Sequence, residues 1–441
     1  MLDIKTRATL GWAALIIISL IPVLLWFTLG PGPSELTSYG GIVHSFGELF
    51  GLVGMTMFAL TFVLSTRIRA IEDVFGGLDK VYIVHGIFGG TALILILFHP
   101  IFLVLKFVPS NIVQAAIYLM PSSFWSVNFG ILAILGMIIL IYITLFTKMK
   151  YHRWKFTHEF LGAVFVFAVL HIFLVRGTVS SDYIFRGYYV YAAVVSAIGL
   201  SAFSYSLFLK NRLIKNAVYS ISKIKHKQNF LTIDLVPEHK PIHYKSGQFI
   251  FVRFYNEHLS EEPHPFSIAS GSNEKTIRII VKKLGDFTKR LSNLKEGDKV
   301  SIEGPYGKFS EFLPKNKDQI WIAAGIGIVP FIGLAEDILE HKKHSEKKID
   351  LYYTAKDTED FVGKETFNKL AETHHHFRFI PWESSRQGRL TLENIKKRSG
   401  SFEGKEFLMC GPSKFKEDFF ASLIKEGVKK DNIHEEVFDF R

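Results

Sequence analysis

Six stretches of the chain are apolar for long enough to cross a bilayer, roughly residues 8–30, 43–65, 81–107, 124–147, 156–175 and 188–209. A spanning helix needs ~20 such residues. The pattern changes near residue 216, where short runs rich in β-branched and aromatic residues begin: NFLTIDLV, GQFIFVRFY, TIRIIVKKL and KVSIEG. Turn residues separate them, which predicts an antiparallel barrel or sandwich. Beyond about residue 316 strands alternate with helices. IWIAAG precedes a helix to about His341, IDLYYTA another, and EFLMCG a last one from near Ser413. That alternation predicts a parallel sheet of the nucleotide-binding type. The expected architecture is multi-domain: a six-helix transmembrane bundle over 1–215, an antiparallel β-barrel domain over 216–314 and an α/β nucleotide-binding domain over 315–441. The linker around Asn211–Asn216 is short, which would keep the soluble half close under the membrane.

Composition sharpens this. Hydrophobic residues make up 48% of the chain, but Lys, Asp and Glu are scarce before about residue 210 and dense after it. The net charge of +11 is no signature of nucleic-acid binding, because the basic residues flank apolar spans or mix with acids; a membrane surface accounts for them. Lys5, Arg7, Arg67, Arg69, Lys80, Lys148, Lys150, Arg153, Lys155, Lys210, Arg212 and Lys215 fall on one side of the six spans, and Lys106, Arg176 and Arg186 on the other. This predicts a multi-pass protein of the cell (plasma) membrane with both termini cytoplasmic and spans three and five running outward. The first span has no small-residue cleavage site after it and reads as retained. Cys410 is the single cysteine. Disulfides, thiolate-held iron–sulfur clusters and haem attached through Cys-x-x-Cys-His are thereby excluded.

Span three begins and ends its apolar stretch HGIFGGTALILILFH on histidines, His85 and His99, and span five carries HEFLGAVFVFAVLH between His158 and His171. Intramembrane ionisable groups are costly and usually functional. With both spans running outward, His85 and His158 share one depth and His99 and His171 another. Members of each helical pair lie about 20 Å apart along the axis. Two packed helices would present two facing imidazole pairs, each able to hold an iron through both axial positions, as in two stacked b-type haems. Gly86, Gly89, Gly90 and Gly162 leave room for a flat macrocycle. A separation of 14 keeps His85 and His99 on one face, about 40° short of four turns. The separation of 13 leaves His158 and His171 about 140° apart on an ideal helix, which calls for local tightening or a swung side chain. Structural histidines bonded across the bundle, or a proton relay involving Glu159, are the competing readings. His44 has no evident partner, and His152 lies in a basic loop.

In the soluble half, HPFSIAS offers His264, Pro265, Phe266 and Ser267 at a strand end. A flavin needs a flat apolar wall and a small hydrogen-bond donor near N5, which Phe266 and Ser267 could supply. KKLGDFTKRL follows, and Gly285 to Thr288 read as a turn into a helix whose amides, with Lys282, suit a pyrophosphate. In AAGIGIVPF, Gly325 and Gly327 come between a strand and a helix, where a dinucleotide phosphate can approach backbone, with Pro330 in place of a third glycine. MCGP, with Cys410 and Gly411, closes a later strand where α/β sheets present their ligand crevice.

Taken together, these residues resemble one family over essentially all of 43–441: the NADPH oxidases and ferric reductases, in which a six-span bis-histidine haem domain is fused to a ferredoxin–NADP reductase-like module. The histidine spacings of 14 and 13 are similar to the family's own. The resemblance implies that His264 stands where soluble relatives carry arginine, and that GIGIVPF and CGP bind the nicotinamide nucleotide. It also implies that Phe440 in the ending IHEEVFDFR, with Phe438 as the lesser choice, stacks on the flavin, and that Cys410 and Gly411 lie near the nicotinamide. Ser267 replaces a threonine common in the oxidases. Lys356 follows LYYTA where arginine would meet an adenosine 2′-phosphate; Lys356 and Arg389 are the candidates for that contact. The implied cofactors are FAD, two b-type haems and NADPH, or NADH. The implied path runs from NAD(P)H through FAD, the His85/His158 site and the His99/His171 site to an outer acceptor. Oxygen giving superoxide is first, ferric chelates second, and a relay to an extracytoplasmic partner protein a third reading. With no calcium-binding loop before span one and no long insert for activator subunits, no obligatory protein activator is expected.

Overall fold

The computed structural model describes residues 4–29, 35–108, 110–149, 151–175, 182–210, 217–312, 317–341 and 347–436. The chain divides into two compact units, Met1–Leu213 and Ile214–Arg441.

The first unit is helical. Its elements are α1 (Ile4–Leu29), α2 (Tyr39–Leu64), α3 (Arg69–Phe75), α4 (Leu78–Leu105), α5 (Ile112–Tyr118), α6 (Trp125–Phe146), α7 (Tyr151–Glu159), α8 (Leu161–Leu174) and α9 (Asp182–Ser204). Among the described residues, six stretches of helix are long and apolar enough to cross a membrane: Thr6–Thr28, Tyr39–Leu64, Leu78–Leu105, Trp125–Phe146, Arg153–Leu174 and Gly187–Leu209. α2 is the central one, packed by α1, α4 and α9. Lipid tails give helices no hydrophobic reason to associate, so close backbone approach and interlocked rings must do it. Phe58 and Phe62 of α2 meet Phe165 of α8 at ring-centroid distances of 5.3 and 5.0 Å. A Cβ on Gly199 would come within 2.5 Å of the Phe165 ring. Gly162 does the same for Phe203 of α9. This corrects the expectation that Gly162 clears room for a macrocycle, since an aromatic ring fills its space. The fifth span is two helices joined at Phe160, whose N–H bonds Thr157 O at 3.2 Å, three residues back.

The second unit opens with six strands: β1 (Ala217–Lys227), β2 (Phe230–Pro237), β3 (Phe249–Tyr255), β4 (His264–Ser267), β5 (Ile277–Lys282) and β6 (Lys299–Tyr306). They pair in the order β4-β3-β6-β1-β2-β5, and every pairing is antiparallel. The two outer strands meet through a bridge between Ile268 and Ile279 and the bond from Ala269 N–H to Arg278 O at 2.7 Å. The sheet thus closes on itself, as the barrel reading predicts. Alternate residues such as Leu231, Ile233 and Leu235 point inward and are fully buried.

Five further strands, β7 (Gln319–Ala324), β8 (Ile349–Ala355), β9 (Phe377–Glu383), β10 (Glu406–Cys410) and β11 (Ile433–Glu436), form a parallel sheet in the order β11-β10-β7-β8-β9. Both faces are covered, so its strands read as unbroken apolar runs. Trp321, Ala323, Leu351 and Tyr353 pack on one face, and Ile320, Ile322 and Tyr352 on the other. The first of these clusters also takes in Phe230, Ala269, Ile280 and Phe309 from the barrel. Barrel and sheet therefore share a core.

A charged seam runs alongside it. Arg278 of β5 bridges Asp234 and Glu336, at 3.0 Å each. Glu336 also accepts the Gly271 amide at 3.1 Å. Asp337 accepts the Ser272 hydroxyl at 3.0 Å. Burial first, and Glu274 beside it, push the Glu336 carboxyl up to about 7, with Arg278 pulling the other way. Because the folded state holds this proton more tightly than the unfolded chain, its stabilising share is full at low pH and is lost as pH rises toward 7. We expect the soluble unit to unfold at lower temperature as pH rises from 5 to 8, and Glu336→Gln to flatten that slope; thermal unfolding across the pH series is the check.

Candidate functional site

α4 and the split fifth span bring the four membrane histidines together in two pairs. His85 faces His158 of α7 with ring centroids 6.1 Å apart, and His99 faces His171 of α8, also at 6.1 Å. The tightened turn at Phe160 lies between His158 and His171. A 3₁₀-type turn advances ~120° per residue against ~100° in an α-helix, so it recovers part of the ~140° that the separation of 13 leaves open.

The hydrogen bonds of the rings decide what the pairs can do. Nδ1 of His85 bonds Thr61 O at 2.9 Å, Nδ1 of His99 bonds Gly47 O at 2.8 Å, and Nδ1 of His171 bonds Ser126 O at 2.7 Å. A carbonyl can only accept, so these three rings carry their proton on Nδ1 and keep the Nε2 lone pair. Nδ1 of His158 meets the Thr144 hydroxyl at 3.2 Å, and that hydroxyl is oriented by its own bond to Leu140 O at 2.8 Å. Metal-binding imidazoles are held in this way, the second nitrogen anchored so that the first can coordinate. Two imidazoles on opposite sides of one metal at ~2 Å put their centroids about 6 Å apart. No group of three or more His, Cys, Asp or Glu that could hold a metal is gathered among the described residues. A metal held by two side chains must bring its equatorial ligands with it, as a porphyrin does. Haem fits this arrangement, and each pair would hold one.

Glycines shape the surroundings in two ways. A Cβ on Gly51 would lie 2.8 Å from Nδ1 of His99, and one on Gly130 would lie 2.8 Å from Nδ1 of His171. These rings rest directly on neighbouring backbone. Gly86 and Gly90 have nothing within 4 Å, leaving open space beside His85. His44, without an evident partner in the sequence, sits 3.4 Å from Glu48 one turn on. Glu159 pairs at the surface with Lys155 at 3.7 Å.

In the barrel, β4 alternates. Phe266 is buried and sets its ring edge-on to Phe254 at 6.0 Å. The barrel interior claims it, so it offers a flavin a rim and not the expected flat wall. Pro265 and Ser267 are half-buried. His264 stacks on Phe287 with centroids 3.5 Å apart, a partner not apparent in the sequence. Lys282 holds its ammonium 5.7 Å from the Phe230 ring centre. Gly285 has open space around it, but the amides of Leu284 and Gly285 both donate to the Thr288 hydroxyl at 3.0 Å. Thr288 is therefore a cap, and of the amides expected to be free that of Gly285 is taken.

In the parallel sheet the strand order reverses between β7 and β10, and a crevice of this kind opens beyond the carboxyl ends of such strands. Gly325 ends β7 at φ +55°, a left-handed conformation natural to glycine, with open space beside it. Gly327 differs: a Cβ there would press on the Cys410 backbone and stand 2.7 Å from the Gly411 amide. It is a packing glycine, which corrects its assignment to a phosphate. Gly411 likewise lies against Ala324, whose Cβ is 2.9 Å from where its own would be. Pro330 is buried in the first turn of the helix Val329–His341, where a missing N–H costs nothing. Cys410 is fully buried, and burial together with Glu436 pushes its thiol well above the usual range. Its backbone is the surface that Gly327 packs against. Lys356 is exposed in a cavity with Asp357, Glu359 and Asp360, and Arg389 is paired with Asp418 at 2.8 Å. Phe438, Phe440 and Arg176 lie outside the described residues.

Comparison with known proteins agrees with this layout. Residues 50–169 match the ferric reductase like transmembrane component, 214–310 an FAD-binding domain and 321–419 an oxidoreductase NAD-binding domain. The chain has the domain architecture of the NADPH oxidase and ferric reductase family. The chain is similar to the phenol hydroxylase P5 protein of Acinetobacter pittii, 28% identical over 45% of this chain and 59% of that protein. It is also similar to the ferredoxin reductase component of the 3-ketosteroid-9-alpha-monooxygenase of Rhodococcus rhodochrous, 26% identical over 44% of this chain and 56% of that protein. The chain thus spans a little over half the length of these curated relatives. Among solved structures, flavohemoglobin from Malassezia yamatoensis aligns over 91% of this chain and 98% of its own, with TM-score 0.51 and 14% identity, a likeness of fold alone. For this family architecture the packing glycine is the sharpest local test. Gly327→Ala should cost the soluble unit about 1–3 kcal/mol through overpacking at the crevice, read by denaturant unfolding.

Proposed function

We propose that the chain carries electrons from NAD(P)H on the cytoplasmic side of the cell membrane to an acceptor on the outer face, through FAD and two b-type haems. The observation that carries this reading is the double imidazole pair, with Nδ1 anchored in each ring. His85 and His158 would hold one haem, His99 and His171 the other. His264, Pro265, Ser267, Lys282, Gly285 and Thr288 border the proposed FAD site, and the backbone at Gly325 and Gly411 the nucleotide crevice. Phe440 is proposed to cover the flavin face until the nicotinamide displaces it. The functional segments are taken as 1–215, 216–314 and 315–441, with both termini cytoplasmic on the charge asymmetry of the loops.

When bound, FAD supplies the exchange between a hydride and single electrons, and the haem irons supply one-electron steps. The chain's own residues hold these groups, set their orientation and exclude water. With His99 and His171 both holding the outer haem, that haem would supply single electrons to an acceptor that does not bind its metal. Dioxygen is the first choice, in the balance NAD(P)H + 2 O₂ → NAD(P)⁺ + H⁺ + 2 superoxide. It is small and uncharged and needs no docking site. Ferric chelates are the alternative.

Purified protein loaded with haem and FAD should show a Soret band that NAD(P)H shifts to the reduced form under nitrogen. Changing either member of one pair, as in His99→Ala or His171→Ala, should remove roughly half the haem, counted by pyridine haemochrome per flavin. Haem content unchanged in all four single variants would end the proposal. In air, superoxide dismutase should suppress reduction of a reporter dye; rapid NAD(P)H use with ferric citrate alone would move the assignment to a metalloreductase.

A further inference from the structure

We propose that the coenzyme this chain selects is NADH, with its free adenosine 2′-hydroxyl, and that Asp357 makes the selection. The inference rests on the functional reading above and deepens it by naming the donor. β7 and β8 run in parallel with Ala324 opposite Thr354, so Gly325 and the Lys356–Asp357 pair leave the sheet from adjacent strand ends. A dinucleotide whose phosphates lie at the helix start after Gly325 extends its adenosine ribose toward the next strand end. There a carboxylate receives the ribose hydroxyls, or a basic side chain receives a 2′-phosphate.

A cavity of about 390 Å³ opens at that strand end, lined by Gln228, Asn229, Lys356, Asp357, Glu359 and Asp360. Three carboxylates and one ammonium leave its lining net negative. A ribose fits that lining through its hydroxyls, which donate to carboxylates; a phosphate dianion is repelled by it. The members of the wall are not equivalent. Glu359 already accepts from Gln228 Nε2 at 2.7 Å. Glu383, which is not part of the lining, takes the Thr358 amide and hydroxyl at 3.2 and 3.0 Å, fixing the turn. Asp357 is half-buried, and its carboxylate enters no hydrogen bond or ion pair among the described residues. Asp360 is likewise half-buried with its carboxylate in no hydrogen bond or ion pair among the described residues, and Asp357, nearer the end of β8, is the acceptor placed for the ribose. Arg389, the other cation that a 2′-phosphate would need, is held by Asp418 at 2.8 Å.

The test uses the full chain loaded with FAD. Isothermal calorimetry with NAD⁺ and NADP⁺ gives affinities independent of turnover, and flavin bleaching by NADH and NADPH is followed under nitrogen. NAD⁺ should bind at least about tenfold more tightly than NADP⁺. Asp357→Asn should weaken NAD⁺ about tenfold and close most of the gap, with flavin content unchanged. NADP⁺ binding equal to or tighter than NAD⁺, or an unchanged ratio in Asp357→Asn, overturns the inference while leaving the electron-transfer reading intact. A flavin bleached by neither coenzyme defeats that reading and the inference with it.

Discussion

An imidazole inside a bilayer has two ring nitrogens to satisfy and no water to satisfy them with. In this bundle one nitrogen of each is met by the backbone or a hydroxyl of a neighbouring helix: Thr61, Gly47, Ser126 and Thr144. That constraint fixes where α2 and α6 must lie relative to α4, α7 and α8. It also dictates glycine at 51 and 130, where a side chain would collide with a ring. Much of the helix packing is thus set by the need to hold four rings in two opposed pairs. An iron porphyrin between each pair, as proposed, would satisfy the remaining nitrogens.

The soluble unit answers a different constraint. Its barrel and its parallel sheet each bury their own residues, yet Phe230, Ala269, Ile280 and Phe309 of the barrel lie in the same cluster as Trp321 and Phe331. A seam of Arg278, Asp234, Glu336 and Asp337 fixes the register of the helix Val329–His341 against the β4–β5 segment. Rigid placement of this kind suits a site assembled from two sheets, where a small rotation would move one half of the ligand's contacts away from the other.

Several residues singled out by motif belong to this scaffolding. Gly327, Pro330, Cys410 and Thr288 stand in stretches that look like ligand loops, and each turns out to pack or cap. Motifs of this type record backbone shape as much as contact with a ligand. Gly325, Gly285 and Ser267, from the same stretches, stay open to a ligand, as does the acidic turn after β8.

Hydrophobic period and length by themselves determined six crossings, an antiparallel barrel or sandwich and a parallel sheet, because burial on one face, both faces or all round leaves a direct trace in residue order. The histidine spacings 14 and 13 were legible too, as a pair of matched positions with one awkward angle. What only the folded chain decided was contact between residues far apart in sequence. The turn at Phe160 that eases the angle, the carbonyls that fix the tautomers, the Phe203 ring occupying the space at Gly162 and the carboxylates around Lys356 all depend on which helices and strands become neighbours. Periodicity reports which side of an element is buried. It carries no record of what lies against that side.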